Sequence, residues 1–235
     1  MLNRPTFTRA AVALFGFFAA LSIAHAQAPA AEGFQEGKNY FVIEPPQPGA
    51  TDGKVEVTEI FSYACPACNA FQPTVKKLRE ALPANAVMVY LPASFRPDED
   101  WPVFQRAYYT AQALGIADKS HDATFDAVWK DADSKLRISD AVTHQPIKPM
   151  PTTEDVAQFF TKFGVKADDA VATANSFAVN AKMKRADAML KAYGVDSTPT
   201  LVVAGKYRLT VTSAGSIDQV IPLVKYLIAK EAGGK

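Results

Sequence analysis

The chain has 235 residues, with 25 Lys and Arg against 24 Asp and Glu, so its formal net charge at pH 7 is only +1. Because acidic and basic residues are balanced and interspersed, the sequence has neither the basic stripe that binds nucleic acid nor a polybasic patch for a membrane surface. The length is sufficient to bury a hydrophobic core, so no disulfide scaffold is needed for stability.

The N-terminus has the features of a secretory signal peptide. Arg4 and Arg9 precede an apolar run over residues 10–23, and the small-residue triplet 24–26 closes it. A membrane anchor is the weaker interpretation, because spanning a bilayer takes roughly 20 apolar residues and no stop-transfer pattern follows. We therefore predict cleavage after Ala26 and export to an oxidising compartment such as a bacterial periplasm, where paired cysteines are normally disulfide-bonded.

Both cysteines lie in the segment FSYACPACNAF, residues 61–71, where a predicted strand meets a predicted helix. Alternation predicts a strand over 55–63, and helical spacing predicts a helix over 67–82. Pro66 suits the first helical turn, where no backbone donor is required. Cys65 is therefore expected at a helix N-terminus, where free N–H groups and the macrodipole favour a thiolate over a thiol.

The spacing of Cys65 and Cys68 favours redox chemistry over a structural role. A cross-link closing a ring of four residues removes only about 2 kcal/mol of unfolded-state freedom. A Cys2His2 zinc site would need His121 and His144, which are too far apart for the usual ligand spacing. Two inert core thiols are disfavoured because the helix start is expected to face solvent. We predict that Cys65 is the nucleophile and Cys68 the resolving thiol.

The strand-Cys-Pro-x-Cys-helix arrangement resembles the active site of the thioredoxin superfamily. A second segment, GVDSTPTLVVAGKYRL, carries Thr198 and Pro199 just before two strands predicted at 201–204 and 206–211. The resemblance implies that Pro199 is the cis-proline that faces the dithiol in this superfamily, with Thr198 preceding it.

Between these two segments the chain is helical in pattern from about Trp101 to Tyr193, including a short segment near 136–142 and a long run over 168–193. A helical domain inserted in a thioredoxin fold is similar to the DsbA family of periplasmic disulfide oxidants. We therefore expect an α/β, thioredoxin-like fold with an inserted helical domain. The expected boundaries are a signal peptide at 1–26, thioredoxin-like parts at 27–97 and 195–235, and the helical domain at 98–194.

The resemblance implies a thiol-disulfide oxidoreductase that donates its Cys65–Cys68 disulfide to unfolded or folding exported proteins, through a mixed disulfide at Cys65. It implies no metal or organic cofactor, and reoxidation by an inner-membrane DsbB-like quinone reductase. The aromatic side chains of Phe61, Tyr63, Phe71 and Trp101 are expected mostly in the core; in the alternative interpretation some of them line, with Pro199, an apolar groove beside Cys65 for extended peptide. Nothing resembles a dimerisation module, so a monomer is expected.

Two positions depart from the most familiar pattern of the family. Ala67 stands where many members have His after Pro66, and the missing imidazole is expected to make Cys65 less acidic and the disulfide less oxidising. Thr198 stands where Val is common, and Thr occurs there in the related disulfide isomerases. An isomerase or a client-specific reductase is therefore the alternative function, and a metal-binding chaperone that uses the cysteine pair is a further one.

Glu59, six positions before Cys65, is a further candidate. It lies on the strand face that Val55, Val57 and Phe61 share, so alternation predicts a carboxyl group buried below the dithiol. The alternative is an edge-strand Glu that reaches solvent. By resemblance Glu59 helps proton movement, although the facing strand offers no lysine partner. The histidines at 121 and 144 are expected on the surface of the helical domain, without a chemical role.

Overall fold

A five-stranded sheet is the centre of the computed structural model, which describes residues 1, 33–49, 53–140, 142–143 and 145–233. The strands are β1 Phe41–Val42, β2 Val55–Phe61, β3 Ala86–Pro92, β4 Thr200–Val203 and β5 Tyr207–Leu209, in the order β1-β5-β4-β2-β3. β2 and β3 are parallel, and the other neighbouring pairs are antiparallel. The predicted signal peptide lies outside the described residues, except for Met1.

Eight α-helices surround the sheet in the described part of the chain. They are α1 Pro66–Ala81, α2 Trp101–Ala113, α3 Ala117–Trp129, α4 Thr153–Phe160, α5 Ala167–Ala174, α6 Phe177–Ala192, α7 Val211–Ala214 and α8 Ile217–Gly233. The five helices α2 to α6 follow β3 and precede β4 in sequence. This order agrees with the predicted α/β fold with a helical insertion.

The predicted helical segment near 136–142 is wrong, because its described residues form turns and an isolated bridge between Ser139 and Pro146. The Asp140 carboxylate accepts hydrogen bonds from the backbone N–H groups of Val142 at 3.0 Å and Thr143 at 2.7 Å. Such a short acidic side chain competes for backbone donors that a helix would otherwise use.

The long helical run predicted over 168–193 is also wrong, since it is divided into α5 and α6. Ser176 is the N-cap of α6, and its hydroxyl accepts a hydrogen bond from the Val179 N–H at 3.2 Å. A serine cap satisfies a donor that the first turn leaves unpaired, so a new helix begins here.

The core has two parts, and β2 contributes to both. One part joins β2 to the helical insertion, through residues such as Phe61, Phe104 and Phe125. The other joins Val57 of β2 to α1 and α8. β2 lies between β3 and β4 in the sheet, and its residues from Glu56 to Phe61 are all buried.

From Gly33 onward the chain forms one compact unit, and the domain boundaries expected at 97/98 and 194/195 stay a prediction. Among the described residues, no helix is long and apolar enough to span a membrane.

Candidate active site

Cys65 is the N-cap residue of α1. Its backbone is extended, with φ −89° and ψ 117°, and Pro66 occupies the first helical position. The Cys65 sulfur accepts a hydrogen bond from the backbone N–H of Cys68 at 3.3 Å. The sulfur therefore satisfies one of the donors that a helix start leaves free, and it lies at the positive end of the helix dipole.

The two sulfurs have opposite electrostatic surroundings. The Cys68 thiol, the Thr198 side chain and the backbone N–H groups of Cys68 and Ala67 lower the pKa of Cys65 to about 6, although burial opposes this change. Burial raises the pKa of Cys68 far above its ordinary value, and the charges of Cys65 and Glu59 add to that effect. At neutral pH the dithiol therefore carries its negative charge on Cys65.

The cysteines are less exposed than the sequence predicts. Cys65 is 5% exposed and Cys68 is 0% exposed, whereas Pro66 and Ala67 between them are exposed. The expectation of a solvent-facing helix start is thus correct for the intervening residues and wrong for most of the Cys65 surface. The difference arises because the backbone of Thr198 covers the sulfur, with its carbonyl oxygen 3.6 Å away.

Thr198 and Pro199 lie beside the dithiol, as the resemblance implies, and the peptide bond between them is cis. They border a groove of about 440 Å³ on the same side of α1. Its wall includes Phe71 of α1, Val211 of α7 and Ile217 of α8, and no charged side chain among the described residues lines it. Of the aromatic residues expected here, Phe71 lines this groove.

Glu59 is buried, as alternation predicts, and the alternative of a solvent-reaching Glu is wrong. Its exposure is 0%, and neither carboxyl oxygen has a hydrogen-bond partner within the described part of the chain. Burial raises the pKa of Glu59 to about 8, with added contributions from the charges of Cys65 and Asp122, while Arg79 lowers it. The acid is therefore mostly protonated at neutral pH.

The facing strand has Tyr90 opposite Glu59 in the β2–β3 register. The Arg79 guanidinium at the end of α1 donates a hydrogen bond to the Tyr90 hydroxyl at 3.4 Å. Arg79 is therefore the positively charged residue whose role is most similar to that of the missing lysine partner of Glu59. Arg79 was not predicted from the sequence, because a partner for Glu59 was expected on the facing strand alone.

The prediction that His121 lies on the surface is wrong: the residue is 4% exposed and contacts the loop between β2 and α1, residues 62–65, which we call the active-site loop. Its Nδ1 atom is 2.9 Å from the Tyr63 hydroxyl, and its ring centroid is 4.4 Å from that of Tyr90. His121, Phe125 and Val128 share the buried face of α3. That spacing is visible in the sequence and could have revealed the burial, whereas His144 lies outside the described residues.

The active-site loop has a second contact with α3. The indole N–H of Trp129 donates a hydrogen bond to the Tyr63 carbonyl oxygen at 2.7 Å. Two side chains of α3 therefore hold Tyr63, two residues before Cys65. In the described ranges, no group of three or more His, Cys, Asp and Glu side chains could hold a metal ion.

Comparison with known families identifies the domain. Residues 56–222 match the model of the DSBA-like thioredoxin domain, a range that includes Cys65, Cys68, Glu59 and Pro199. The thiol:disulfide interchange protein DsbA of Pseudomonas aeruginosa strain PAO1 is 36% identical over 201 residues, which cover 86% of this chain and 87% of that protein. The DsbA of Pseudomonas syringae pv. tomato is 34% identical over 212 residues, covering 90% and 91% respectively.

Comparison with solved structures finds relatives from the same family. The crystal structure of Pseudomonas aeruginosa DsbA superposes with a TM-score of 0.72 at 35% identity, covering 87% of this chain and 97% of that one. This likeness confirms the predicted thioredoxin-like fold with a helical insertion.

Proposed function

Because the chain belongs to the DsbA-like family of thioredoxin-domain proteins, we propose that it donates its Cys65–Cys68 disulfide to newly exported proteins in the periplasm. The chain is a protein-disulfide oxidoreductase, since its relatives across most of its length are thiol:disulfide interchange proteins. These relatives do not favour the isomerase alternative.

The reaction begins with the disulfide form of the dithiol. A substrate thiolate attacks the Cys65 sulfur, the bond between Cys65 and Cys68 breaks, and its electron pair goes to the Cys68 sulfur, which takes up a proton. A second substrate thiolate then attacks the substrate sulfur of the mixed disulfide and displaces Cys65 as a thiolate. The substrate loses two electrons and gains a disulfide, and the protein is left as the dithiol.

The observation that carries this proposal is the contrast between the two sulfurs. Cys65 leaves easily because the helix N-terminus and its hydrogen bonds stabilise its anion. A stabilised thiolate favours the reduced protein, so the disulfide tends to pass to the substrate. Cys68 is fully buried and strongly prefers its proton, so substrates meet Cys65 first.

The groove beside Cys65 is the proposed substrate site. Its walls are mostly apolar and uncharged, so an extended chain of many sequences fits it through apolar contacts. Pro199 and Thr198 border this groove, and we assign them the role of holding substrate next to the reacting sulfur. Pro66 and Ala67 are assigned to tuning the potential of the dithiol.

The remaining roles follow the family resemblance. Glu59 is proposed to exchange protons with the dithiol, and the dithiol itself is proposed to be the redox group, with no further cofactor. We further propose reoxidation by an inner-membrane DsbB-like quinone reductase, a monomeric state and the domain boundaries given above.

The equilibrium reduction potential of the Cys65/Cys68 couple against glutathione tests the direction of the reaction. A potential well above about −200 mV supports a net oxidant. A potential near the about −270 mV of thioredoxin would instead indicate a reductase and contradict the proposal. Oxidative refolding of a reduced client by the wild type, with Cys65→Ser as the inactive control, completes the test.

A further inference from the structure

His121 has one satisfied nitrogen and one unsatisfied nitrogen in a buried position. The Nδ1 atom pairs with the Tyr63 hydroxyl, while the Nε2 atom has no hydrogen-bond partner among the residues that the structure describes. A buried polar atom of this kind calls for a specific explanation.

The Tyr63 hydroxyl can either accept a hydrogen bond from Nδ1 or donate one to it, so this contact is compatible with both tautomers of the imidazole ring. The tautomer with the proton on Nδ1 donates to the Tyr63 oxygen and leaves a lone pair on Nε2. A hydrogen-bond donor that faces Nε2 therefore selects this tautomer.

Glu59 offers the complementary group. Both of its oxygens are buried without a partner inside the described ranges, and as a neutral acid it has one O–H donor to place. Glu59 and His121 share their neighbours: Tyr90 is opposite Glu59 on β3 and 4.4 Å from the His121 ring. Phe61, two residues along the same strand face, is 5.0 Å from that ring.

The titratable and charged groups around His121 come from every element packed against it. They are Glu59 of β2, Tyr63 of the active-site loop, Arg79 of α1, Tyr90 of β3, Tyr108 of α2 and Asp122 of α3 itself. Tyr63 already pairs with Nδ1, and Arg79 donates to Tyr90. Within the described ranges, a protonated Glu59 is thus a fully buried donor of this set that has no acceptor.

We propose that one buried water connects the Glu59 carboxylic acid to Nε2 of His121, which accepts the hydrogen bond, and that His121 thereby positions that acid for proton exchange with Cys68. His121 is a positioning residue, because it acts through Glu59 and does not contact the reacting sulfurs. This inference rests on the proposed thiol-disulfide exchange.

The contact explains how a buried leaving group obtains its proton. When a substrate thiolate breaks the bond between Cys65 and Cys68, the electron pair moves to the Cys68 sulfur and the proton of Glu59 goes with it. Glu59 becomes a carboxylate and regains its proton from bulk water. The imidazole of His121 stabilises the protonated acid while the disulfide is intact, so the proton is present when Cys68 requires it.

The test follows the Glu59 carboxyl group by its 13C chemical shift during a pH titration of the reduced protein, with the signal assigned by its loss in Glu59→Gln. His121→Phe keeps the volume and the burial but removes the acceptor, whereas His121→Gln keeps an amide at similar reach. We expect His121→Phe to lower the midpoint by about 1 pH unit, the size of one net hydrogen bond. His121→Gln is expected to remain within about 0.5 unit of the wild type.

A purely structural role for His121 predicts the opposite result for His121→Phe, because undiminished burial leaves the midpoint unchanged or raises it. Either of those results would overturn the proposal. The 15N chemical shifts of the wild-type His121 ring provide a test that needs no variant: Nδ1 should be protonated and Nε2 unprotonated, and the reverse assignment overturns the contact. Neither readout requires turnover, so failure here is distinguishable from failure of the oxidant function.

Discussion

The backbone N–H of Cys68 donates a hydrogen bond to the sulfur of Cys65 across 3.3 Å. This contact connects the geometry of a helix start to the redox chemistry of the pair, because it stabilises the Cys65 anion that exists only in the reduced protein. The energetic consequences of the site follow from the charge on this one sulfur.

The reduced protein is therefore expected to unfold at a higher temperature than the oxidised protein at neutral pH. The pKa of Cys65 is lowered from 9.0 to about 6 in the folded state, so its stabilising contribution is complete above about pH 9 and disappears below about pH 6. Thermal unfolding with and without excess dithiothreitol measures the difference. Equal or lower stability after reduction, or a difference that persists at pH 5, would contradict the thiolate.

Ala67→His is expected to make the protein a stronger oxidant. Residue 67 is exposed beside the dithiol, and an imidazole there would stabilise the Cys65 thiolate. A gain of one pKa unit is about 1.4 kcal/mol, or roughly 30 mV in the potential of this two-electron couple. Redox titration against glutathione checks the direction, with Ala67→Gln as a control of similar size without the charge. An unchanged or more negative potential in Ala67→His would show that the missing imidazole is not what limits this site.

Thr198→Val is expected to weaken the oxidant. The Thr198 side chain lowers the pKa of Cys65, although its hydroxyl has no hydrogen-bond partner among the described residues. Without that donor the pKa of Cys65 should rise and the potential should fall, at roughly 30 mV for each pKa unit. Thr198→Ser keeps the hydroxyl and should behave as the wild type; if it loses as much as Thr198→Val, the effect comes from packing.

Glu59→Gln is expected to change how stability depends on pH. An ordinary Glu ionises near pH 4.5, and Glu59 holds its proton in the folded state until about pH 8. Over this interval the folded protein binds more protons than the unfolded chain, so the wild type loses stability as pH rises, by about 1.4 kcal/mol for each unit of the shift. Urea unfolding of the reduced proteins across this range measures the slope, because the Cys65 thiolate that contributes to the raised pKa is present in both variants. Glu59→Gln should lack the decline, and parallel curves would refute a buried neutral acid.

Local sequence signals were sufficient for the site's central element. An alternating strand pattern, the Cys-Pro dipeptide and the helical spacing after it each depend only on residues that are close in sequence. For this reason β2, the start of α1 and the N-cap position of Cys65 were predictable. The burial of Glu59 followed from the same alternation. The neighbouring position of Pro199 was different, because it lies far away in sequence and only the family resemblance brought it to the dithiol.

Features that depend on packing between distant elements were missed. His121 is polar, so an apolar pattern leaves it on the surface, although its spacing with Phe125 and Val128 is that of the buried face of α3. Its partner Tyr63, which lies in the active-site loop, could not be inferred from this spacing. The break at Ser176 was missed because helical spacing continues across it, and a single serine cap decided the outcome. The helix predicted at 136–142 does not form for a similar reason, because the Asp140 side chain accepts hydrogen bonds from the backbone of the turn.

The most direct test is a pH titration of the Cys65 thiolate by ultraviolet absorbance or alkylation rate in the reduced protein, with Cys65→Ser as the blank. We expect a midpoint near pH 6, with Cys68 silent through the neutral range because its burial holds its proton. A midpoint near the ordinary thiol value of about 8.5 would contradict a helix-stabilised anion, and the proposed disulfide donor with it.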